Sequence, residues 1–594
     1  MINRKQFFRK AIQFGIVTVP AFITACGYFL NDDDDSSGSA SPSSGGGTNS
    51  TGSFPLFPIL QDTSGATEYT LPAITISEQQ HDFNGSGTVS DSIALRTPDI
   101  SDGTYGGPVI RVTKGDSVTF NFTNNLPEPT SNHWHGLHIV GQVDGSPHQR
   151  IDSSGGTWSV NLKIQQEAST NWYHSHEHHA TQRLVNKGHV GMFIVDDANA
   201  NALDIPKTMN TDDFPVLVKY QAFEDNGTIK LTGGGGSNKM LANGKENGGT
   251  LMVEQKWIRI RVLNGSDGQA ARSLNFKMSD NRTFYQIATD GGFLDTPVLV
   301  SEFMMSPAER CEFLIDFTQE SVGSELILQA TPDIAGGGNQ GAATENLTVF
   351  TFKVKANDSG EQGITSFNSN MNLRGSNGTE TINWSQVNTN AATLKNNPVV
   401  SLSVRVGNNG ASNTVTCEGN IANNTGTSDN VLTNTPASYT QALVGIDSDG
   451  TAVSMNMNRV NFSVRKNLWQ VWRFRSANHP LHVHGCSFLI LSIDGQEPSD
   501  QYKGWKDTIF PTVGGGGNDA LFLVKFNYHT YSSTLTTSQS ESDATTSSSP
   551  SFGVIGTNGS ITNYDPYMFH CHFLHHEDGG MMGQFNAVHT NQTT

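Results

Sequence analysis

Four short histidine clusters are the residues of this chain best suited to chemistry, and each repeats histidine at positions i and i+2. They read His133-Trp134-His135, His174-Ser175-His176, His482-Val483-His484 and His570-Cys571-His572. Residues i and i+2 of a β-strand point to the same face, so each pair can direct two imidazoles into one cavity. Imidazole nitrogen is a common copper ligand. Eight such nitrogens are enough to hold several metal ions close together.

The fourth cluster predicts a second kind of metal site. In an extended strand Cys571 points away from the two histidines that flank it, so its sulfur faces a different site from theirs. Cys571, His576, Met581 and one upstream histidine form a blue-copper ligand set, with methionine as the weak axial ligand. His479 is the upstream candidate, because its odd offset from the third His-x-His pair turns it to the opposite face. The backbone of adjacent residues would then be a short path for electrons between the two sites.

Two other interpretations fit the histidines less well than copper does. A single His-x-His pair in a strand is usually a surface pair or a hydrogen-bonded core pair. Four pairs in one chain, one of them split by a cysteine, do not fit that explanation. Zinc prefers isolated tetrahedral sites, which do not explain eight clustered imidazoles beside a Cys/His/Met set.

These motifs resemble those of the multicopper oxidase family, which includes laccases, and most closely its bacterial copper-efflux type. The resemblance covers roughly residues 65 to 590 and includes the four clusters at the family's spacing. Three further stretches are also similar to that subfamily: Asn275-Phe276 to Asp290-Gly291-Gly292, Gly504-Trp505-Lys506-Asp507-Thr508, and Glu577-Asp578-Gly579-Gly580-Met581-Met582.

The resemblance implies four copper ions: one type 1, one type 2 and a type 3 pair. Carried over by position, the type 2 ion takes His133 and His482. The type 3 pair takes His135, His174, His176, His484, His570 and His572. The type 1 ion takes His479, Cys571, His576 and Met581. In such an enzyme a reductant gives single electrons to the type 1 copper, Cys571 relays them, and the three-copper cluster reduces O2 to water.

Two acidic residues are candidates for delivering the protons that O2 reduction consumes. Asp144 follows the first cluster in Gln142-Val143-Asp144-Gly145, and Glu577 follows His576 directly. The resemblance implies a proton-relay role for both positions. The alternatives are a turn-forming Asp-Gly for Asp144 and a hydrogen-bond partner of a ligand histidine for Glu577.

Composition and patterning predict an all-β protein of several domains. The chain has 594 residues, of which 61 are glycine and only 15% are charged, and apolar residues alternate with polar ones in segments such as 117–122 and 258–263. The family's three consecutive cupredoxin-like Greek-key β-sandwiches fit this pattern. The expected limits are 55–205, 206–360 and 398–594, with a linker at 361–397. The first two histidine clusters then lie in the first domain, and the last two lie in the third.

The N-terminus is predicted to direct export. Residues 1–25 have the basic start and apolar stretch of a signal peptide, and Arg4-Lys5 resembles a twin-arginine signal with one arginine replaced. Ile23-Thr24-Ala25-Cys26 resembles a lipobox, so Cys26 is a candidate for lipid attachment, with 26–54 as a flexible tether. A buried or disulfide-bonded cysteine is the alternative for Cys26. We expect a periplasmic or cell-envelope protein whose only link to a membrane is that lipid.

Charge and cysteine usage limit the remaining functions. A formal net charge of −19 disfavours nucleic-acid binding, which needs a basic surface. Besides Cys26 and Cys571 the chain has Cys311, Cys417 and Cys486, an odd set in which export permits one disulfide of undetermined pairing.

The reductant is less well defined by the sequence. Copper-efflux enzymes have Asp and Met residues just before the third cluster and a methionine-rich segment, whereas this chain reads Arg475-Ser476-Ala477-Asn478 and has no methionine between Met371 and Met455. We therefore expect a laccase-like oxidation of phenols or aromatic amines. Oxidation of Cu(I), Fe(II) or Mn(II) is the alternative, followed by a copper-binding electron carrier without turnover. The Ser/Thr-rich insertion 531–563 is either added surface length or a substrate lid.

Overall fold

Paired β-sheets make up nearly all of the regular structure. The computed structural model describes residues 52–100, 104–232, 236–333, 345–358, 363–375, 400–405, 414–417, 462–465, 470–476, 479–511, 519–527 and 566–588. These residues belong to one compact unit spanning residues 48–405 and 414–594. The predicted signal peptide, Cys26, most of the tether, the insertion 531–563 and the Cys417 side chain lie outside the described part.

The first pair of sheets carries the first two histidine clusters. Its strands are β1 Ile59–Leu60, β2 Glu68–Thr70, β3 Ile74–His81, β4 Ser90–Arg96, β5 Val109–Thr113, β6 Ser117–Asn124, β7 His133–His135, β8 Gly156–Lys163, β9 Ser169–His174 and β10 Val190–Asp196. One sheet has the order β1-β5-β10-β9-β7, and the other has β2-β6-β3-β4 with β8 paired to β6.

The second pair of sheets contains none of the four clusters. Its strands are β11 Asp213–Phe223, β12 Ser237–Ala242, β13 Lys245–Glu246, β14 Thr250–Glu254, β15 Trp257–Asn264, β16 Ser273–Met278, β17 Phe284–Thr289, β18 Gly292–Val300, β19 Glu302–Met305, β20 Arg310–Asp316, β21 Glu325–Asp333 and β22 Leu347–Lys355. The sheet orders are β13-β12-β11-β15-β20-β17-β18 and β14-β22-β21-β16-β19.

The third pair of sheets carries the last two clusters. Its strands are β23 Val400–Arg405, β24 Thr414–Cys417, β25 Phe462–Arg465, β26 Gln470–Arg475, β27 Leu481–Val483, β28 Phe488–Ile493, β29 Trp505–Lys506, β30 Thr508–Ile509, β31 Asp519–Val524, β32 Tyr567–Cys571 and β33 Met582–Val588. The sheet orders are β24-β23-β26-β31-β28-β29 and β25-β33-β32-β27-β30. In all three pairs most neighbouring strands are not consecutive in the chain, which is the Greek-key pattern.

Helices are short and few in the described residues. They are α1 Thr181–Lys187, α2 Ala198–Ala202 and α3 Leu574–Asp578, with 3₁₀ turns at Gly141–Val143 and Asp500–Tyr502. Within the described ranges no helix has both the length and the apolar character needed to cross a membrane.

Alternating burial explains why these segments form sandwiches. Along β6 the apolar residues Val118, Phe120 and Phe122 are buried while the polar residues between them are partly exposed, so one face of the strand packs in the first core. The all-β, three-sandwich expectation is confirmed. The domain limits themselves stay a prediction.

Strand β15 departs from this rule, because its charged residues are buried as well as its apolar ones. Arg259 and Arg261 are buried and form ion pairs with Asp213 and Glu312. The Glu312 carboxylate also accepts a hydrogen bond from Thr170 of β9 at 2.6 Å. Both faces of β15 are therefore covered, one by the core of the second sandwich and the other by the first sandwich.

Candidate metal centre

Backbone pairing places ligand histidines opposite one another in two sandwiches. In the first, His133 of β7 is the register partner of His174 of β9. In the third, His482 of β27 is the partner of His570 of β32. Directly opposed residues of an antiparallel pair have their side chains about 5 Å apart on one face of the sheet. Each sandwich therefore presents four imidazoles from two neighbouring strands.

The two sets of four imidazoles meet in one buried cluster. The rings of His135 and His482 stack with centroids 3.6 Å apart, and those of His133 and His484 stack at 3.9 Å. The His176 Nε2 atom lies 3.3 Å from His570 Nε2. All eight side chains are buried, so the cluster is shielded from bulk solvent where the first and third sandwiches face each other.

The donor atoms fall into groups suited to single ions. Ligand atoms lie within 4.8 Å of one another in three all-histidine groups: His133/His135/His482, His135/His174/His572 and His176/His484/His570. Two nitrogens bound to one ion at about 2.0 Å lie roughly 3.3–3.5 Å apart. The 3.2 Å between His484 Nε2 and His570 Nε2 is close to that separation.

Unpartnered nitrogen atoms support the fit of a metal. The Nε2 atoms of His133, His174 and His482 are buried without a hydrogen-bond partner, as are both ring nitrogens of His572. Buried polar groups normally have partners, so several together in one cavity indicate a ligand. The residues present therefore fit metal ions bound by imidazole.

Backbone carbonyl groups orient several of the rings. The Nδ1–H group of His133 donates to the Asp144 carbonyl at 2.8 Å, and that of His482 donates to the Asp507 carbonyl at 2.9 Å. Such a bond leaves the Nε2 lone pair directed at the metal. Burial lowers the pKa of His133 well below its ordinary value and that of His176 to about 4, so the rings are neutral ligands at pH 7.

The sulfur of Cys571 lies in a separate group of donors. Its Sγ atom is 3.5 Å from His479 Nδ1 and 3.7 Å from His576 Nδ1. Sulfur and nitrogen atoms on one trigonal ion are about 3.7 Å apart. Met581 packs in the same small apolar cluster as Cys571, with Phe510 and Phe573. All four residues predicted for the type 1 site are thus brought together.

Burial keeps the Cys571 thiol protonated in the absence of a bound cation. It raises the pKa of Cys571 well above its ordinary value, so thiolate formation requires a bound positive charge. His479 and Cys571 are buried, whereas His576 is only partly buried. The His576 side is therefore where a reductant can approach.

Asp144 contacts two ligand histidines from the first-sandwich side of the cluster. Its Oδ2 atom accepts a hydrogen bond from His484 Nδ1 at 2.8 Å and lies 3.6 Å from His133 Nδ1. Its Oδ1 atom is buried without a partner. Burial raises the pKa of Asp144 well above its ordinary value. The residue is more than a turn former, because its carboxylate reaches the third sandwich.

Glu577 occupies the corresponding position on another side of the cluster. Its Oε1 atom lies 3.2 Å from His176 Nδ1 and its Oε2 atom lies 3.2 Å from His570 Nδ1. Burial alone would raise the pKa of Glu577, but these two imidazoles lower it by more, so the net direction is downward. Glu577 therefore contacts one histidine from each of the two sandwiches.

Known proteins match the chain over most of its length. Two family models, both described as multicopper oxidase, match residues 93–200 and 424–590. Multicopper oxidase mco of Staphylococcus haemolyticus is 26% identical over 539 residues, which cover 89% of this chain and 90% of the relative. The two family matches contain all twelve predicted ligands. The chain belongs to the multicopper oxidase family.

Solved structures agree with this membership and establish the cupredoxin-like fold. The laccase-like multicopper oxidase CueO of Ochrobactrum sp. has a TM-score of 0.62 and 25% identity, covering 90% of this chain and 100% of that one. A Campylobacter jejuni multicopper oxidase, titled a metallo-oxidase, has a TM-score of 0.58 and 20% identity over 90% and 96% of the two chains. The chain is also similar to a relative with a different name: cell division protein FtsP of Photorhabdus laumondii is 28% identical over 78% of this chain and 84% of that one.

Asp507 is a residue of this multicopper oxidase whose contacts the sequence did not predict. In the sequence it is one residue of the stretch 504–508, which is similar to the copper-efflux subfamily. Its Oδ1 atom accepts hydrogen bonds from His135 Nε2 at 3.0 Å and from Arg310 Nη1 at 2.8 Å. Arg310 comes from β20 of the second sandwich and also donates to the Thr170 carbonyl of the first. Asp507 and Arg310 therefore tie all three sandwiches together beside the cluster.

Three cysteines of the enzyme are free thiols in the described part of the chain: Cys311, Cys486 and Cys571. Cys311 donates to the Ala288 carbonyl at 3.3 Å in the core of the second sandwich. Cys486 is buried and donates to the Val483 carbonyl at 3.7 Å. Neither Cys311 nor Cys486 takes part in the disulfide that the sequence permitted.

Proposed function

We propose that this multicopper oxidase takes single electrons from phenols or aromatic amines at the Cys571 site and uses them to reduce O2 to water at the eight-histidine cluster. The observation that carries the proposal is the placement of adjacent residues. Cys571 faces His479 and His576, while His570 and His572 on either side of it belong to the cluster. Electrons accepted at one site need to cross only this short backbone segment to reach the other.

Copper bound at these residues supplies a one-electron acceptor at the type 1 site and, with the type 2 ion and the type 3 pair, the four electrons that O2 reduction needs. The chain holds the donor atoms in place. The orphaned nitrogens of the cluster and the Cys571, His479 and His576 group fit this assignment. The buried cavity excludes bulk water from the cluster.

The two carboxylates are suited to moving protons into that cavity. Asp144 touches His484 and Glu577 touches His176 and His570, all through Nδ1. Each carboxylate therefore both orients a ligand ring and stands at the edge of the buried cluster. A group so placed can pass protons to reduced oxygen without leaving its histidine partners.

The charge near the Cys571 site supports an organic reductant over a metal cation. Burial lowers the pKa of His479 to about 4, and the guanidinium of Arg272 lowers it as well. Burial lowers the pKa of His576 well below its ordinary value, and His575, His479 and the same guanidinium lower it further, so a positive charge acts on both imidazoles. A cation near both imidazoles disfavours the approach of Cu(I) or Fe(II) relative to that of phenolate. Oxidation of metal ions is the second candidate, because the C. jejuni multicopper oxidase that shares this fold is a metallo-oxidase.

Oxygen uptake by the copper-loaded protein tests the proposal. We expect uptake with a phenolic reductant and slower uptake with Fe(II) or Cu(I) at equal concentration. Cys571→Ser should abolish both the intense blue copper–thiolate absorption and phenol oxidation. Cys311→Ser is the matched control, since that buried thiol donates to the Ala288 carbonyl of the second sandwich and belongs to none of the metal-donor groups.

The results separate the candidate functions. Faster uptake with a metal ion than with any phenol would favour the metallo-oxidase. A blue protein that consumes no O2 with either reductant would be an electron carrier, and it would overturn the proposal.

A further inference from the structure

A polar cleft lies where the three sandwiches meet, apart from the Cys571 site. Its volume is about 160 Å³, and its lining includes Lys114, Glu167, Arg374, Trp505 and Lys525. Lys114 and Glu167 belong to the first sandwich, Trp505 and Lys525 to the third, and Arg374 to the segment that follows the second. Side chains from distant parts of the chain thus converge on one small space.

The charge of the cleft is opposite to that of the protein. Three cationic side chains and one carboxylate line it, whereas the whole chain has a formal net charge of −19. His138 also lines the cleft, but burial lowers its pKa to about 4, so it is neutral at pH 7. Local positive charge in an acidic protein indicates a place where an anion is stabilised.

Arg374 is built into the wall, and one of its three guanidinium nitrogens has no hydrogen-bond partner. Its side chain is 93% buried, being only 7% exposed. It donates to the Phe293 carbonyl at 3.2 Å and to the Glu167 carboxylate at 3.3 Å. Its Nε atom has no hydrogen-bond partner, because the Asp295 oxygen nearest to it is 3.8 Å away. A buried guanidinium with an unused N–H is suited to an added oxyanion.

Hydrogen bonds hold the walls of the cleft, which lie close in sequence to the copper ligands. His138 Nε2 lies 2.8 Å from Ser487 Oγ, and the His138 backbone N–H donates to Gln166 Oε1 at 2.8 Å. His138 and Ser487 each come three residues after a cluster histidine, His135 and His484. One hydrogen bond between the first and third sandwiches and one within the first therefore hold this wall of the cleft, beside the loops that leave the cluster.

We propose that this cleft is a binding site for a tetrahedral oxyanion of the phosphate or sulfate type. Lys114, Arg374 and Lys525 approach from three different segments, which suits an anion whose oxygens point in several directions. Glu167 weakens the binding, since it is the one carboxylate in the lining. Occupancy joins the three sandwiches and stabilises the assembled protein.

Titration calorimetry of the copper-loaded, full-length protein with sodium phosphate tests the site, at ionic strength held constant with sodium chloride. We expect one site with a dissociation constant on the order of 1 mM. Sulfate should compete with phosphate, and acetate should bind much more weakly. Heat no greater than that of the chloride blank, or acetate binding as tightly as phosphate, would contradict the assignment.

Charge variants make the test specific to the cleft. Lys114→Gln removes an exposed cation and should weaken phosphate binding about tenfold, whereas Glu167→Gln should tighten it severalfold, because the competing carboxylate is gone. Lys353→Gln is the matched control: that exposed lysine pairs with Glu325 on the second sandwich, and its loss should change nothing. Equal affinity in the wild type and in both cleft variants would sink the proposal.

Discussion

The Asp507–Arg310 pair should be among the strongest single contributions to stability at the junction of the sandwiches. Asp507 and Arg310 are fully buried, and two guanidinium nitrogens bind the carboxylate. Burial alone would raise the pKa of Asp507, but Arg310 and His135 lower it well below its usual range. The carboxylate is therefore ionised, and Asp507→Asn removes the nearer counter-charge of the buried Arg310, leaving the Asp290 carboxylate 3.9 Å from its Nη1 atom.

Removing one partner of a buried pair costs about 3–5 kcal/mol of unfolding free energy. We expect that loss for Asp507→Asn in the copper-free protein, measured as the urea-induced transition followed by tryptophan fluorescence. The double variant Asp507→Asn/Arg310→Met should lose less than the sum of the two single changes, because neither charge is then left unpaired.

A surface pair provides the comparison for this measurement. Arg473 and Asp519 also form a two-nitrogen ion pair, but each side chain is 28% exposed. Asp519→Asn should therefore cost less than about 1 kcal/mol. If Asp507→Asn cost no more than Asp519→Asn, the inference that this buried pair ties the three sandwiches together would be wrong.

Four further predictions follow from the site and its surroundings. Glu577→Gln should slow O2 consumption about 10²–10⁴-fold while phenol still bleaches the blue site, as stopped-flow absorbance would show. Arg272→Glu should raise kcat/KM for Fe(II) relative to an anionic phenol severalfold, and added salt should reduce the difference. Burial lowers the pKa of Lys219 to about 7 from 10.5, so the unfolded chain binds the proton more tightly and the free energy of unfolding should rise between pH 7 and 10.5; Lys219→Met should flatten that rise. Removing copper by chelation should lower Tm, because the ligands come from both the first and third sandwiches.

Local spacing was enough to predict which residues face which site. The i, i+2 repeat assigned each histidine pair to one face of a strand, and the intervening position assigned Cys571 to the other. The structure places His479 beside Cys571, as the odd offset from His482 suggested. These features depend on the side-chain direction of strands and of the extended residues next to them, because His479 lies just before β27 and His572 just after β32.

The parts that sequence reasoning missed all involve contacts over long separations. Asp507 and His135 are 372 positions apart, and Arg310 and Asp507 are 197 apart. No periodic pattern links such residues. The alternation in β15 likewise predicted nothing about its arginines, because whether a charged face meets water or another sandwich depends on domain packing.

By itself the sequence determined the all-β class, the donor atoms and their separation into a sulfur-containing set and an imidazole set, since side-chain direction along a strand is a local property. Only the tertiary structure decided which imidazoles lie within reach of one another, which carboxylates contact them, and that a cationic cleft lies next to the ligand loops. Those outcomes depend on how the three sandwiches pack against one another, and that packing brings together side chains whose positions in the chain carry no information about each other.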